Sequence, residues 1–178
     1  VEDSLVQKIA KNISLDGDHE VIDAGGCVVL PGLVDMHVHF REPGREDQET
    51  IIGGSMVAAK SGFTSVCTMP NTTPVIDNQA LVRFIKLEAE NGPINVYPIA
   101  TITKGALGEE ISEMGELVKA GAVGFSDDGR PVMNSLVMRR ALEYSRMFGR
   151  PIISHAEDLS LSDEGIINEG KNSVLLGL

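Results

Sequence analysis

Cysteine is scarce in this chain: Cys27 and Cys67 are the only two among 178 residues, and no signal-peptide pattern opens the sequence. A disulfide framework is therefore not expected, and a reducing cytoplasm is the expected location. Long apolar runs are missing too. None approaches the roughly 20 residues needed to span a bilayer, so a soluble protein is expected. Positive charge is in deficit, with 15 Lys and Arg against 26 Asp and Glu and a net charge of −11. That balance argues against general nucleic-acid binding, which rests on Lys and Arg neutralising phosphates, but it leaves room for a local basic pocket that takes a small anion. What the chain does have is 42% apolar content, enough for a sizeable core and without the composition of a disordered segment. It opens on Val1 rather than Met and stops in the apolar run NSVLLGL. Both ends lead us to expect a piece of something longer.

Residues 1–28 carry short β-like segments, LVQKIAKNI and EVIDAGGCVV, separated by the turn LDGD. They are read as part of a small β-sheet domain. From residue 29 onward the pattern changes to apolar segments of strand length alternating with helical stretches. The strands are expected at LVDMHVHF (33–40), TSVCTMP (64–70), INVYPIAT (94–101), AVGFSD (122–127) and PIISHA (151–156). Helices are expected at about 48–61, 78–91, 109–120 and 134–148, several preceded by capping residues such as Asn78 and Asn134. A repeat near 30 residues is the size of a βαβ unit, and such crossovers imply a parallel sheet. No G-x-G-x-x-G follows the first strand, and polar residues crowd the C-terminal ends of successive strands. An α/β fold is therefore expected, the amino-terminal part of a (β/α)8 barrel of the TIM type running over 29–178. Eight units need roughly 250 residues; about five strands are visible, so the barrel cannot close on this chain alone.

The polar residues of the first strand follow a period of two. Asp35, His37, His39 and Arg41 share one face, and Val34, Met36, Val38 and Phe40 share the other. In a barrel the first set points inward and the second meets the helices. Two imidazoles at i and i+2 near a strand end can approach one metal ion, although an isolated H-x-H is as readily a pair of hydrogen-bonded core histidines. His155 lies at the end of the fifth strand, and Ser126-Asp127-Asp128-Gly129 closes the fourth. Three imidazoles and a carboxylate suit zinc. Arg41 offers a fork of donors for a carboxylate, with an ion pair to Glu42 or Glu46 as its plain alternative; Asn71 offers an amide at the same rim or simply forms a turn. His19, in the acidic GDHE turn, is read as a solvated surface histidine.

Taken together, VDMHVHFREPG, TMPNTTP, GFSDDG and ISHAED resemble bacterial dihydroorotase of the long, amidohydrolase-superfamily type, and the similarity runs over essentially the whole chain. VEDSLVQKIAKNI is similar to the family's amino-terminal sheet segment. The resemblance implies a zinc hydrolase with one or two Zn2+, interconverting N-carbamoyl-L-aspartate and L-dihydroorotate in pyrimidine biosynthesis. It implies that His37 and His39 bind the more buried zinc and that His155 helps hold a second. Many relatives bridge two zincs with a carboxylated lysine from strand four; here an aspartate stands there. By the resemblance that aspartate is Asp128, which shares a face with Ser126, with Asp127 as the fallback. The same likeness makes Arg41 and Asn71 substrate-carboxylate ligands and places the general acid/base aspartate beyond Leu178, so the 178 residues alone are expected to be inactive.

Two other activities are compatible with these motifs. A hydantoinase or dihydropyrimidinase uses the same barrel and metal logic, although F-R-E-P-G and the lysine-free fourth strand favour dihydroorotase. A non-catalytic dihydroorotase-like scaffold for an aspartate transcarbamoylase would be expected to lose metal ligands, whereas H-x-H and His155 are kept. A homodimer and an aspartate transcarbamoylase partner are both compatible with the resemblance; nucleic acid and membrane are not expected as partners.

Overall fold

The computed structural model describes residues 1, 5–14, 17, 20–162 and 165–178, so His19 lies outside the described residues. The chain divides into two compact units, Val1–Pro31 and Gly32–Leu178. Among the described residues of the first unit no strand is formed. A few strand-like segments cannot satisfy their backbone groups without partners, and a small sheet domain over 1–28 stays a proposal for the intact protein.

The second unit is an α/β half-barrel. Its strands β1 (Leu33–Val38), β2 (Phe63–Thr68), β3 (Asn95–Ala100) and β4 (Gly124–Phe125) form one sheet in sequential order. Every pairing in it is parallel. Helices α1 (Ile51–Lys60), α2 (Gln79–Ala89) and α3 (Met114–Ala120) make the crossovers, and α4 (Ser135–Ser145) follows β4. The caps are local chemistry: the Thr50 hydroxyl accepts from Gly53 N, Asn78 Oδ1 from Leu81 N, and Asn134 Oδ1 from Leu136 N and Val137 N. Val66, Val96, Ala100 and Phe125 from the strands pack with Ile51, Val82, Ile85, Leu117 and Ala141 from the helices in one buried cluster. The alternate residues Cys67 and Tyr97 sit on the opposite, more open face.

Three expectations need correction. The third helix starts at Met114 rather than 109, because Thr103 bridges Ile111, and Lys104 N and Ser112 N bond to Glu110 O and Ile102 O; residues 109–113 are held by the loop after β3. The fifth strand, expected over 151–156, is a single parallel bridge between Phe125 and Ile152. Phe125 N donates to Pro151 O and Ile153 N to Phe125 O, but no further strand pairs with the far side of this segment among the described residues, so half its backbone groups lack a ladder. At the end of β1 and just beyond it, Val38 and Phe40 meet the helix layer as expected, whereas Val34 and Met36 are exposed.

Candidate metal centre

The site is built at the C-terminal ends of the strands. His37 and His39 converge at the end of β1, where the ladder to β2 slips between Asp35 and Val38. Asp35 therefore aligns with the buried Val66, and the expected sharing of one face by Asp35, His37 and His39 is broken; Asp35 Oδ1 accepts from His37 N at 3.0 Å. The two Nε2 atoms lie 3.3 Å apart, with the rings edge to face at 66°. From the end of β4, Asp128 reaches the same point: its Oδ1 is 3.4 Å from His37 Nε2 and its Oδ2 is 3.6 Å from His39 Nε2. Asn71, in the turn after β2, touches two of these groups, with Oδ1 3.0 Å from His39 Nδ1 and Nδ2 3.1 Å from Asp128 Oδ2.

Asp127 faces the other way. Its Oδ1 accepts from Ile102 N at 2.7 Å and Thr103 N at 3.1 Å, and its Oδ2 accepts from the Thr103 hydroxyl. Burial pushes this carboxyl above the ordinary aspartate range, against the pull of its three donors. Of the two adjacent aspartates, Asp128 is thus the one brought to the histidines, and Asp127 ties the end of β4 to the loop after β3.

His155 stands at the border of the group. Its Nδ1 is 3.9 Å from Asp128 Oδ1, and its Nε2 is 3.0 Å from Glu157 Oε2. Hydrogen bonds from Ser162 and His155 hold the Glu157 carboxyl below its ordinary range. Glu157 is absent from the sequence-derived set; its H-x-E spacing with His155 was the available signal. Arg41 makes no ion pair among the described residues. Glu42 and Glu46, its plain alternatives, are engaged elsewhere, accepting from Ile51 N and Gly44 N at 2.7 Å each. A separate cleft of about 550 Å³ opens beside the group, between Leu107–Glu109 and Gly129–Met133.

Residues 26–178 match the model of the Dihydro-orotase-like family. The chain belongs to the dihydroorotase-like family. It is 54% identical over 179 aligned residues to the dihydroorotase of Pelobacter propionicus, covering 100% of this chain and 42% of that protein. It is 58% identical over 159 residues to that of Pelotomaculum thermopropionicum, covering 89% and 37%. The chain thus spans about two fifths of the length of the curated relatives it matches. Among solved structures, an L-hydantoinase (dihydropyrimidinase) from Arthrobacter aurescens superposes with a TM-score of 0.70 at 24% identity, over 83% of this chain and 34% of that one. At that identity the likeness establishes the barrel fold and nothing finer.

Within this family member the donor set fits a metal ion. Separations of 3.3–3.6 Å exceed a good hydrogen bond. The 3.3 Å between the two Nε2 atoms matches the edge of a coordination tetrahedron, whose ligand atoms stand about 3.3–3.4 Å apart when the bonds are about 2.0–2.1 Å long, and each of these nitrogens has one Asp128 oxygen within 3.6 Å. His37, His39 and Asp128 each offer one ligand atom within 4.8 Å of the others. Imidazole and carboxylate donors together suit a divalent transition-metal ion.

Proposed function

We propose that this chain supplies the amino-terminal part of a cytoplasmic, zinc-dependent dihydroorotase that interconverts N-carbamoyl-L-aspartate and L-dihydroorotate in pyrimidine biosynthesis. The observation that carries the reading is the convergence of His37, His39 and Asp128, one ligand atom from each within 4.8 Å of the others, in a chain of the dihydroorotase-like family. His37 and His39 would hold the first ion, and Asp128 would be shared with a second that His155 would help to hold. When bound, zinc supplies Lewis-acid activation of water and of the scissile amide carbonyl. Arg41 anchors the substrate carboxylate: it follows the two histidines at the next alternate position of the sequence and makes no ion pair with the described carboxylates. The spare hydrogen of the Asn71 amide adds a donor at the same rim. The proton for the leaving nitrogen comes from an aspartate expected after Leu178.

The competing reading, a hydantoinase-type cyclic amidase, has fold likeness behind it but not the relatives at more than 50% identity. Full-length protein should hydrolyse L-dihydroorotate. Rapid hydrolysis of uncharged hydantoin without action on dihydroorotate would decide for the amidase. His37→Ala is expected to remove bound zinc and abolish turnover, whereas Arg41→Ala keeps zinc and raises KM. Zinc analysis with steady-state kinetics reads both, and full zinc occupancy in the His37 variant would return that residue to a structural role. Association with a second copy or with an aspartate transcarbamoylase is a separate proposal, read by the mass of the purified assembly.

A further inference from the structure

We infer that Asn71 is a positioning residue of the metal centre, a single amide that fixes the tautomer of His39 and the orientation of Asp128 together; this rests on the zinc-site reading above. The hydrogen-bond directions force the assignment. Asp128 as a carboxylate only accepts, so the atom of Asn71 facing its Oδ2 at 3.1 Å is the Nδ2 donor. The atom facing His39 is then the oxygen, an acceptor, and Nδ1 of His39 must carry the ring hydrogen across the 3.0 Å contact. The hydrogen is thereby excluded from Nε2, whose lone pair is left facing His37 Nε2 and Asp128, the point where the three candidate ligand atoms converge. A histidine whose second nitrogen is committed in this way is oriented and made more basic as a ligand.

The amide is itself held in place. Its turn is pinned by Ile76 N donating to Pro70 O and by Thr73 N donating to Pro43 O, both at 3.0 Å. The buried Thr72 hydroxyl donates to Pro74 O at 2.7 Å. On the other side the chain turns at Gly129, with φ +81°, directly after Asp128, where a Cβ would only reach ordinary contact with Asn71 Nδ2. The cross-brace links strands β1, β2 and β4 around the site without using either Nε2.

A substrate anchor and a brace part company when no substrate is present. In full-length protein, Zn2+ affinity is measured by competition with a chromophoric chelator for wild type, Asn71→Ala and Arg41→Ala, alongside the Tm of each metal-free protein. The expected result is a loss of about tenfold or more in zinc affinity for Asn71→Ala, with an unchanged metal-free Tm and wild-type affinity in Arg41→Ala. Unchanged zinc affinity with only a raised KM in Asn71→Ala would make it a substrate ligand and overturn the inference. Should the variant fold poorly, nitrogen-15 shifts of His39 in metal-free wild type decide: hydrogen on Nδ1 supports the brace, and hydrogen on Nε2 overturns it. The two readings fail separately. Zinc binding that depends on Asn71 in a protein inert toward dihydroorotate leaves the brace standing, whereas turnover with zinc affinity indifferent to Asn71 removes the brace alone.

Discussion

Asp127 and Asp128 are neighbours in sequence with opposite surroundings, because successive side chains of an extended segment leave on opposite faces. Asp127 is only 2% exposed and accepts three hydrogen bonds from Ile102 and Thr103; Asp128 makes its bonds and close approaches with Asn71, His37 and His39. Removing Asp127 leaves two backbone N–H groups and the hydroxyl hydrogen of Thr103 without acceptors in a dry interior, so Asp127→Ala is expected to destabilise by about 3 kcal/mol. Asp128→Ala is expected to leave the denaturation midpoint nearly unchanged and to abolish metal retention. Urea denaturation and metal analysis of the two full-length variants check both; equal stability losses would refute the division of labour. The family resemblance, together with the face Asp128 shares with Ser126, favoured Asp128 from the sequence, and the period of two grouped His37 with His39. The contact between Asn71 and its two partners was not legible. It joins residues 32 and 57 positions apart, and a turn asparagine looks the same whether or not its amide is occupied.

At the level of elements, the loops after β1 and β2 act as one piece. Thr73 N donates to Pro43 O at 3.0 Å, and Gly44 lies so close beneath Thr73 that a Cβ there would stand 2.0 Å from the Thr73 carbonyl oxygen. Gly44 also has φ +104°, a conformation that side chains disfavour. Gly44→Ala therefore meets strain and an immovable backbone atom at once, and a loss of about 2–3 kcal/mol is expected. Because Arg41 and Asn71 ride on these two loops, KM for dihydroorotate should rise in the folded fraction; denaturation curves and steady-state kinetics measure the two effects. An unchanged KM alongside lowered stability would show that the loops do not transmit the shift to the site. Elements were legible where periodicity and caps agreed: α2 starts beside Asn78 and α4 beside Asn134, as their cap chemistry dictates. They were less legible where pairing decides. Residues 109–113 were expected to be helical but are held by the loop after β3, a contact invisible to local propensity.

For the molecule as a whole, the decisive feature is what the sheet still offers. Among the described residues β1 pairs only with β2, and at the other end of the sheet the segment at 151–156 is joined to β4 by one bridge. Val34 and Met36 on β1 are 61% and 72% exposed. An open, apolar strand edge is a template for further pairing, and the curated relatives are more than twice as long as this chain. Three candidate ligands converge within 4.8 Å, yet no described residue stands out as the proton donor for a leaving nitrogen. Metal binding and turnover should therefore separate. The 178-residue polypeptide prepared alone is expected to bind Zn2+ more weakly than the full-length protein and to show no turnover of dihydroorotate. Its exposed edge should make it associate, so the elution volume is expected to depend on protein concentration. Supplying the rest of the full-length chain as a second polypeptide should restore activity if its strands complete the sheet. Turnover by the 178 residues alone at a rate comparable to the full-length protein would mean that the proton donor lies within Val1–Leu178, and would direct attention to Glu157, the carboxylate paired with His155 at the border of the metal centre.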